Sequence, residues 1–341
     1  MADSRSSKGE IVITMKYRYV IFDSRDDYFV IALSDVKKMP DAQIYRYELD
    51  GRVKFLRCLY QFQRRVLKDT RLGRFLHKCW HRTLFQDKVK SEKPICFVVS
   101  AKYYHFVQNG YLAYLRRRYP DCKIVLFYRD TIAHQKRAIP NLDLSLMKNN
   151  SDLILTANRF DAEKYGLVKF DSFCSNIPVA DAPDYPLSDV MFVGLAKDRL
   201  DTLHKAYKTF TEAGLKCDFY ITGVPAEKRL ADTEIEYADK PMSYREMLYR
   251  TKNSRCLLEV TQGGSDGYTS RFFEALCYNK LLITDNARVT ETKFYDPAFI
   301  QVYSSADEIN TAFVKDTRVD YNYQDEYSPL RTLELIEREL T

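Results

Sequence analysis

Three of the chain's 11 glycines lie within five residues of one another, at Gly263, Gly264 and Gly267, in the stretch QGGSDGYTSRFFE. The apolar run RCLLEVT before them is typical of a strand, and SRFFEALCYN after them is typical of a helix. Glycines let the backbone approach a ligand closely, and a helix N-terminus offers unpaired N–H groups and a positive dipole end. The pattern predicts a backbone cradle for a phosphate, although a plain glycine-rich loop would have the same residues.

Two charged residues of the predicted helix add to this picture. Arg271 stands in the first turn, where a cation is mildly unfavourable for the helix itself, and a bound phosphate would explain its presence. Glu274 lies one turn later, where it could accept hydrogen bonds from ligand hydroxyls or simply be solvated. The loop is neither a Walker A motif nor G-x-G-x-x-G, so it indicates an anion site of another kind.

Two further glycines follow predicted strands of the same half of the chain. Gly194 comes after DVMFV and is followed by Lys197 and Arg199, and Gly223 comes after CDFYI. Ligands of open α/β sheets bind beyond the carboxyl ends of the strands. Together the three turns predict a site for a diphosphate with a sugar at each end, whereas Lys197 and Arg199 alone could be surface charges at a helix start.

Apolar strand-like runs alternate with helix-like stretches along both halves of the chain, which predicts an α/β protein with parallel sheets covered on both faces. The first half contains EIVITM, YRYVIF, YFVIALS, ICFVVS, CKIVLFYRD and SDLILTAN as strand-like runs. The proline-rich connector SNIPVADAPDYPL follows, and such a stretch is typical of an irregular linker. We therefore expect two domains, over residues 1–183 and 184–341.

The second half resembles a known family. Its residues VGLAKDR … ITG … GGSDGYTSRFFEAL … KLLIT are similar to the C-terminal, donor-binding domain of GT-B glycosyltransferases, and most similar to the bacterial group that builds surface polysaccharides and lipopolysaccharide cores. The resemblance covers about residues 188–290. It implies two Rossmann-like, doubly wound domains that face a cleft, with the C-terminal helix packing back, and a nucleotide sugar as co-substrate.

The resemblance also implies roles for individual residues. The family's two acids spaced E-x7-E correspond to Asp266, which would face the donor sugar, and Glu274, which would bind the ribose. Lys197, Arg199 and Arg271 would neutralise the charge of the leaving diphosphate. This electrostatic stabilisation would contribute most of the catalytic effect. The remaining donor-binding residues would be Gly194, Gly223, Gly263, Gly264, Ser265, Gly267, Tyr268 and Thr269.

The chain departs from the family pattern at two places. The usual Glu-Gly-Phe-Gly is Asp-Gly-Tyr-Thr here, and the usual G-x-P step is Tyr278-Asn279-Lys280. The donor nucleotide, its sugar and the anomeric outcome are therefore left open. Because GT-B enzymes need no metal-binding D-x-D and the sequence contains none, we expect neither a metal nor a cofactor.

An inverting mechanism would need a base near the acceptor hydroxyl, and the first half of the chain offers four candidates. They are Asp23, His105, Asp130 and His134, each after a strand-like run. Asp130 and His134 are preferred as catalytic residues because two titratable groups stand together after a strongly apolar strand. For each of them a helix cap or an exposed polar residue is the simpler interpretation, and a retaining mechanism would need no base.

Residues 51–93 carry thirteen Lys and Arg against three acidic residues, whereas the chain as a whole has a net charge of +6. Apolar residues recur there at helical spacing, first at Phe55, Leu59, Phe62 and Val66, then at Leu72, Phe75, Leu76 and Trp80. A cationic amphipathic helix suits an anionic membrane surface, although an ordinary helix with a solvated basic face has the same pattern. The donor-type site argues against a nucleic-acid partner.

The remaining composition narrows the class of protein. Eight scattered cysteines without a C-x-x-C pair predict reduced thiols, and the polar N-terminus predicts no secretory signal. We expect a cytoplasmic glycosyltransferase, peripheral at the inner face of the membrane, that transfers a sugar to a glycan or lipid-linked acceptor. The alternatives are a non-catalytic nucleotide-binding protein on the same frame and a related nucleotide-dependent phosphotransferase such as a glycerophosphate polymerase.

Overall fold

The structure is a computed structural model that describes residues 15–23, 27–46, 89–101, 110–177, 185–262, 267–315 and 317–341, with single positions 58–59, 62–63, 66, 70, 72, 75–76, 104 and 107. The predicted boundary between residues 183 and 184 lies outside these residues, as does most of the strand predicted at EIVITM. The predicted domain limits therefore stay a prediction.

The strands of the described residues form two groups in chain order. The first group is β1 (Arg18–Asp23), β2 (Ala42–Arg46), β3 (Ile95–Ser100), β4 (Lys123–Tyr128), β5 (Leu153–Thr156) and β6 (Val168–Lys169). The second group is β7 (Ser188–Leu195), β8 (Cys217–Thr222), β9 (Glu236–Ala238), β10 (Ser254–Glu259), β11 (Leu281–Thr284) and β12 (Ile300–Val302).

The α-helices of the described residues connect these strands. They are α1 (Asp27–Ala32), α2 (Tyr111–Arg118), α3 (Ile132–Ala138), α4 (Leu144–Asn150), α5 (Arg159–Tyr165), α6 (Leu200–Glu212), α7 (Tyr244–Lys252), α8 (Ser270–Tyr278) and α9 (Pro329–Glu339). Short 3₁₀ turns include Lys197–Arg199, just before α6. Within the described part of the chain, no helix combines the length and the apolar character that crossing a bilayer requires.

Each group of strands forms one parallel sheet. The first has the order β2-β1-β3-β4-β5-β6 and the second β12-β11-β10-β7-β8-β9. The second order is that of a Rossmann fold, whose ligands bind at the switch point where the strand order reverses, here between β7 and β10. The predicted α/β fold with two doubly wound parallel sheets is confirmed.

Apolar side chains cover both faces of each sheet, and the period of two along a strand explains how. In β3, Phe97 and Val99 enter the cluster on one face, whereas Cys96 and Val98 enter the cluster on the other. A strand buried on both faces must be apolar throughout, and this accounts for runs such as ICFVVS, in which every residue is buried.

One strand prediction is wrong. YFVIALS, expected as a strand, forms most of α1, and the second strand of the sheet is instead Ala42–Arg46 at the edge. A short apolar run cannot be assigned to helix or strand by periodicity alone. Here the helix is favoured because it buries Phe29 against the first sheet and Ile31 against the core of the second domain.

The C-terminal helix α9 returns to the first domain, as expected. Leu333 and Ile336 are buried in the cluster that contains Tyr19 and Ile21 of β1. The Glu337 carboxylate accepts hydrogen bonds from the backbone N–H groups of Lys16 and Tyr17, at 2.5 and 3.3 Å. The last element of the chain therefore stabilises the first strand.

The two domains are joined by a helix cap that crosses between them. The N-cap of α7 is Ser243, whose hydroxyl accepts from the Glu246 N–H at 3.2 Å. The two preceding N–H groups of the helix are left without an intrahelical partner. Asp27 of α1, in the first domain, accepts from both of them, from Tyr244 at 2.8 Å and Arg245 at 3.3 Å. The rings of Tyr28 and Tyr244 pack beside this cap with centroids 4.7 Å apart.

Asp27→Ala should lower the free energy of unfolding by about 1 kcal/mol, because it leaves two N–H groups at the start of α7 unsatisfied. Asp27→Asn should retain most of the stability, since asparagine caps helices about as well as aspartate. Chemical denaturation followed by circular dichroism measures both. Equal stability of the alanine variant and the wild type would contradict the role of this cap.

Candidate functional site

The carboxyl ends of β7 and β10 lie side by side because these two strands pair in the second sheet. Together with the N-terminus of α8 they enclose a cavity of about 230 Å³, which we call the donor cavity. Its lining residues are Phe192, Val193, Lys197, Arg199, Leu258, Glu259, Val260, Thr261, Gln262, Thr269, Ser270 and Arg271. The structure thus brings together the predicted residues Lys197, Arg199, Thr269 and Arg271.

Thr269 caps α8 and connects this helix to the sheet. Its hydroxyl accepts from the Arg271 N–H at 3.1 Å and donates to the carboxylate of Glu259. Glu259 is the last residue of β10, and its other carboxylate oxygen accepts from the hydroxyl of Thr284 at the end of β11. One buried carboxylate therefore holds two strands and a helix N-terminus in register around the cavity.

The sequence pattern did not identify Glu259 as a site residue, because it lies within the strand-like run RCLLEVT. Burial raises the pKa of its carboxyl group, while the hydrogen bonds from Thr269 and Thr284 act in the opposite direction. The signal that could have identified it is a glutamate that follows the apolar residues CLL at a strand end, with the helix-capping Thr269 ten residues later.

Arg199 bridges the ends of the two central strands. Its Nε and Nη2 donate to the carbonyl of Leu195 at 3.1 and 3.0 Å, and its Nη1 donates to the carbonyl of Val260. Gly194 makes room for it, since a Cβ there would lie 3.1 Å from the Arg199 Nη2 and 3.2 Å from the Phe192 ring. Burial lowers the pKa of Arg199, but the guanidinium remains a cation at any physiological pH.

Lys197 is exposed at the rim of the donor cavity and has a left-handed backbone, with φ of +48°. Gly223, at the end of β8, also has a positive φ of +74° and is exposed, but it does not line the cavity. Its conformation favours glycine at the turn, and this explains the residue without a ligand. Its predicted donor role stays a prediction.

Arg271 and Glu274 form a buried ion pair, with 2.6 Å between Nη1 and Oε2. Arg271 also donates to the carbonyl of Val193 at 3.2 Å. This ion pair accounts for a cation in the first turn of α8, so a bound phosphate is not required to explain Arg271. Arg271 nevertheless lines the donor cavity.

Glu274 itself has 0% of its surface exposed. Burial raises the pKa of its carboxyl group and Arg271 opposes this. Its Oε1 has no hydrogen-bond partner among the described residues. A ribose hydroxyl could reach this oxygen only after neighbouring side chains shift, and the predicted ribose contact stays a prediction.

A second cavity, of about 330 Å³, lies between the two domains and adjoins the first; we call it the cleft cavity. The second domain contributes Gly267, Tyr268, Thr269 and Ser270, and the first contributes Tyr28, Arg129, Asp130, Thr131, Ala157, Asn158 and Ser172. Thr269 and Ser270 line both cavities. The N-terminus of α8 is therefore the point at which the two spaces meet.

Gly267 is where the glycine loop approaches the first domain. A Cβ at this position would lie 3.5 Å from the carbonyl oxygen of Ala157, and Asn286 donates to the Gly267 carbonyl at 3.2 Å. The residues before it, Gly263, Gly264, Ser265 and Asp266, lie outside the described residues. Their predicted roles, including that of Asp266 toward the donor sugar, stay predictions.

The preferred base candidates do form a pair. Asp130 Oδ2 lies 2.9 Å from His134 Nδ1, with both side chains about half exposed, and Asp130 Oδ1 accepts from the Thr131 N–H at 2.8 Å. Asp130 lines the cleft cavity, whereas His134 does not. Of the other two candidates, His105 lies outside the described residues, and the side chain of Asp23 is not described.

The described residues contain no group of three or more His, Cys, Asp or Glu side chains that could hold a metal ion. In the basic segment, residues 51–93, the described positions include Leu59, Phe62 and Val66 of the first predicted stripe, all helical and exposed. Leu72 and Phe75 of the second stripe are likewise exposed, and Leu76 is half-buried. Phe55 and Trp80 lie outside the described residues.

No protein-family model and no curated protein matches this sequence. Solved structures do match over nearly the whole chain. An alpha-glucosyltransferase in complex with UDP-glucose and DNA containing an abasic site has a TM-score of 0.51 and 14% identity, over 95% of this chain and 93% of its own. The chain has the GT-B fold. At this level of identity, the likeness shows the fold and not the activity.

Two other solved structures match the GT-B chain equally completely. OtsA in its apo form has a TM-score of 0.50 and 11% identity, over 94% of this chain and 95% of its own. A protein from Listeria monocytogenes described as a UDP-N-acetylglucosamine 2-epimerase has a TM-score of 0.50 and 10% identity, over 94% and 96%. The predicted fold of the resemblance is confirmed, whereas the bacterial surface-polysaccharide group is not.

Glu259→Gln should change how stability depends on pH. Because the pKa of Glu259 in the folded protein is raised above its ordinary value of 4.5, the folded state binds this proton more tightly than the unfolded state does. The free energy of unfolding of the wild type therefore falls as pH rises from that value through the folded pKa, by up to about 1.4 kcal/mol per pH unit. The variant cannot titrate at this position, so its free energy of unfolding should increase relative to that of the wild type across this pH range. Denaturation at a series of pH values measures the difference.

The control for this experiment is Glu326→Gln. The pKa of Glu326 is lowered, because the hydrogen bonds from Lys293 and Gln324 outweigh the effect of burial. The ionised Glu326 carboxylate stabilises the folded protein above its ordinary pKa, and this stabilisation is lost in the variant. The free energy of unfolding of Glu326→Gln should therefore decrease relative to that of the wild type as pH rises. Parallel pH curves for Glu259→Gln and the wild type would show that the Glu259 carboxyl is not perturbed.

Proposed function

We propose that this protein is a glycosyltransferase that binds a nucleotide-sugar donor in the donor cavity and an acceptor in the cleft cavity. The supporting observation is that the two cavities meet at Thr269 and Ser270, at the N-terminus of α8. Of the described residues, three cationic side chains line the donor cavity, and a carboxylate of the opposite domain lines the cleft cavity. A sugar at their junction would be placed between a leaving group and an acceptor.

On the donor side, the diphosphate would lie at the ends of β7 and β10, near the start of α8. The positive end of that helix and the cations Lys197 and Arg199 would stabilise the charge that develops on the leaving nucleotide. Arg199 and Arg271 are held by carbonyl groups and by Glu274, so they are preorganised. Exposed Lys197 is the cation that can move to the ligand.

On the acceptor side, Asp130 is the residue best placed to take a proton from a hydroxyl group. It lines the cleft cavity, and its pairing with His134 orients the carboxylate. An inverting reaction would use it as the general base. A retaining reaction would leave it to position the acceptor. Asp266 and Glu274 would hold the donor sugar and the ribose.

The acceptor would be a glycan or a lipid-linked glycan of the bacterial surface, presented at the inner face of the membrane. The support for this part is the basic segment, where the exposed apolar stripe of Leu59, Phe62 and Val66 occurs within 43 residues that carry thirteen cationic and three acidic side chains. Such a surface binds anionic lipid by apolar insertion and charge attraction together.

Lys197→Asn should weaken nucleoside diphosphate binding about ten- to a hundredfold, the usual effect of losing a charge-assisted contact. Asparagine tolerates the left-handed backbone of this position, so the fold should be retained. A thermal-shift panel of UDP, GDP, CMP and dTDP, each with its common sugars, selects the ligand, and calorimetry gives its affinity.

The matched control is Lys228→Asn, at an exposed lysine that does not line the donor cavity. It should bind the nucleotide as the wild type does. Equal binding by Lys197→Asn would place the diphosphate elsewhere. Absence of binding to every nucleotide in the wild type would overturn the proposed donor site.

The double variant Phe62→Ser, Phe75→Ser should lose most of its binding to vesicles that contain phosphatidylglycerol, since these side chains are 57% and 63% exposed in the basic segment. The control is Phe160→Ser, which removes a phenylalanine that is 59% exposed on α5. Co-sedimentation measures both, and binding should also fall with added salt. Equal loss in the control, or no vesicle binding by the wild type, would contradict a membrane role for the basic segment.

A further inference from the structure

Arg129 is a cation in the cleft cavity that the donor site does not use. It follows β4 directly, and its guanidinium carbon lies 4.3 Å from the ring centroid of Tyr28 and 4.5 Å from that of Phe29. The ring of Phe173 lies 5.8 Å away. The aromatic faces hold the guanidinium by cation–π contact and keep water from one side of it.

No carboxylate among the described residues pairs with Arg129, and its buried Nε has no hydrogen-bond partner there. Arg250 also has a buried Nε without a partner, but its Nη1 pairs with Asp218, and Arg271 pairs with Glu274. Arg129 differs from both in having no carboxylate partner among the described residues. A half-buried guanidinium with a buried N–H that lacks an acceptor is costly. Aromatic contact offsets part of that cost, and a bound anion would offset the rest.

The position of Arg129 determines which part of the reaction such an anion would belong to. Arg129 and Ala157 follow the paired strands β4 and β5, so they belong to the first domain, across the cleft from Thr269 and Ser270. The diphosphate already has Lys197 and Arg199 in the donor cavity. An anion at Arg129 therefore lies on the acceptor side of the junction.

Among the described residues that line the cleft cavity, the other charged group is Asp130, which would repel an anion. Its two oxygens are engaged by His134 and by the Thr131 N–H. The cavity thus offers a carboxylate beside a donor-rich guanidinium, an arrangement suited to an acceptor that carries a hydroxyl and an anion on one molecule.

We propose that Arg129 binds a phosphate group of the acceptor, so that the enzyme glycosylates a phosphorylated molecule. The inference rests on the proposed function and adds the chemical class of the acceptor to it. Guanidinium groups bind phosphate oxygens through two parallel hydrogen bonds. The phosphate could belong to a soluble sugar phosphate or to a lipid-linked sugar, which has free hydroxyls and a diphosphate that joins it to a polyisoprenol in the membrane. The experiment separates these two sources.

The test measures binding of three probes by calorimetry, with and without the nucleotide that the thermal-shift panel selects. The probes are inorganic phosphate, a hexose 6-phosphate with the free hexose as its control, and a polyisoprenyl diphosphate sugar in detergent micelles with the matched polyisoprenyl glycoside, which lacks the diphosphate. We expect one phosphorylated probe to bind the wild type and its unphosphorylated partner to bind much more weakly. The probe that binds identifies the source of the phosphate.

Arg129→Gln should weaken that probe about ten- to a hundredfold and leave nucleotide binding unchanged. Arg129→Lys keeps the charge but cannot form two parallel hydrogen bonds, so its affinity for the probe should lie between those of the wild type and Arg129→Gln. Arg338→Gln, at an arginine of α9 that is 73% exposed, should match the wild type. Circular dichroism and the melting temperature verify that each variant is folded.

Phosphate binding that is equal in Arg129→Gln and the wild type would overturn the inference, and so would a wild type that binds nucleotide but none of the phosphorylated probes. Loss of nucleotide binding in Arg129→Gln, with the phosphate probe unaffected, would assign Arg129 to the donor instead. A wild type that binds no nucleotide refutes the proposed donor site, whereas the phosphate probes alone still test Arg129.

Discussion

The geometry of the candidate site depends on one buried carboxylate. Glu259 closes β10, the strand next to the switch point, and receives hydroxyl hydrogen bonds from Thr269 and Thr284. Through Thr269 it fixes the first turn of α8, whose residues Thr269 and Ser270 line both cavities. A carboxyl group taken out of water is unfavourable unless hydrogen bonds satisfy it, so its two hydroxyl donors make the arrangement a specific one. Any ligand of either cavity therefore meets a helix end that these hydrogen bonds hold in place.

The cations around the cleft divide into two kinds by what they contact. Arg199 and Arg271 have their guanidinium donors directed at backbone carbonyls and at Glu274, so they shape the site and add a fixed positive potential. Lys197 is exposed, and Arg129 has no carboxylate partner among the described residues. The first kind is preorganised and costs little reorganisation during a reaction, whereas the second kind can form new ion pairs with a ligand.

The fold was largely predictable because fully apolar strands alternate with helices, and that pattern admits few arrangements other than doubly wound sheets. The grouping of Lys197, Arg199 and Thr269 was predictable for the same reason, since parallel strands deliver their carboxyl ends to one edge. Three features were not. YFVIALS is a helix because it packs between two domains, Glu259 acquires its role only from threonines that are distant in sequence, and Asp27 caps a helix of the other domain. Each depends on contacts between residues far apart in the chain, which local patterns do not encode.

The two anion-binding regions also constrain one another. If a donor diphosphate and an acceptor phosphate occupy adjoining cavities, their like charges repel one another, by on the order of a few kcal/mol for unit charges near a protein surface. A cleft with cations on the donor side alone would therefore disfavour a phosphorylated acceptor. With Arg129 on the opposite wall, each anion has its own counter-charge. The same cation, held between aromatic rings, would gain less from the neutral oxygens of an unphosphorylated acceptor than from a phosphate, so the proposed role of Arg129 implies a preference for phosphorylated acceptors over their neutral analogues.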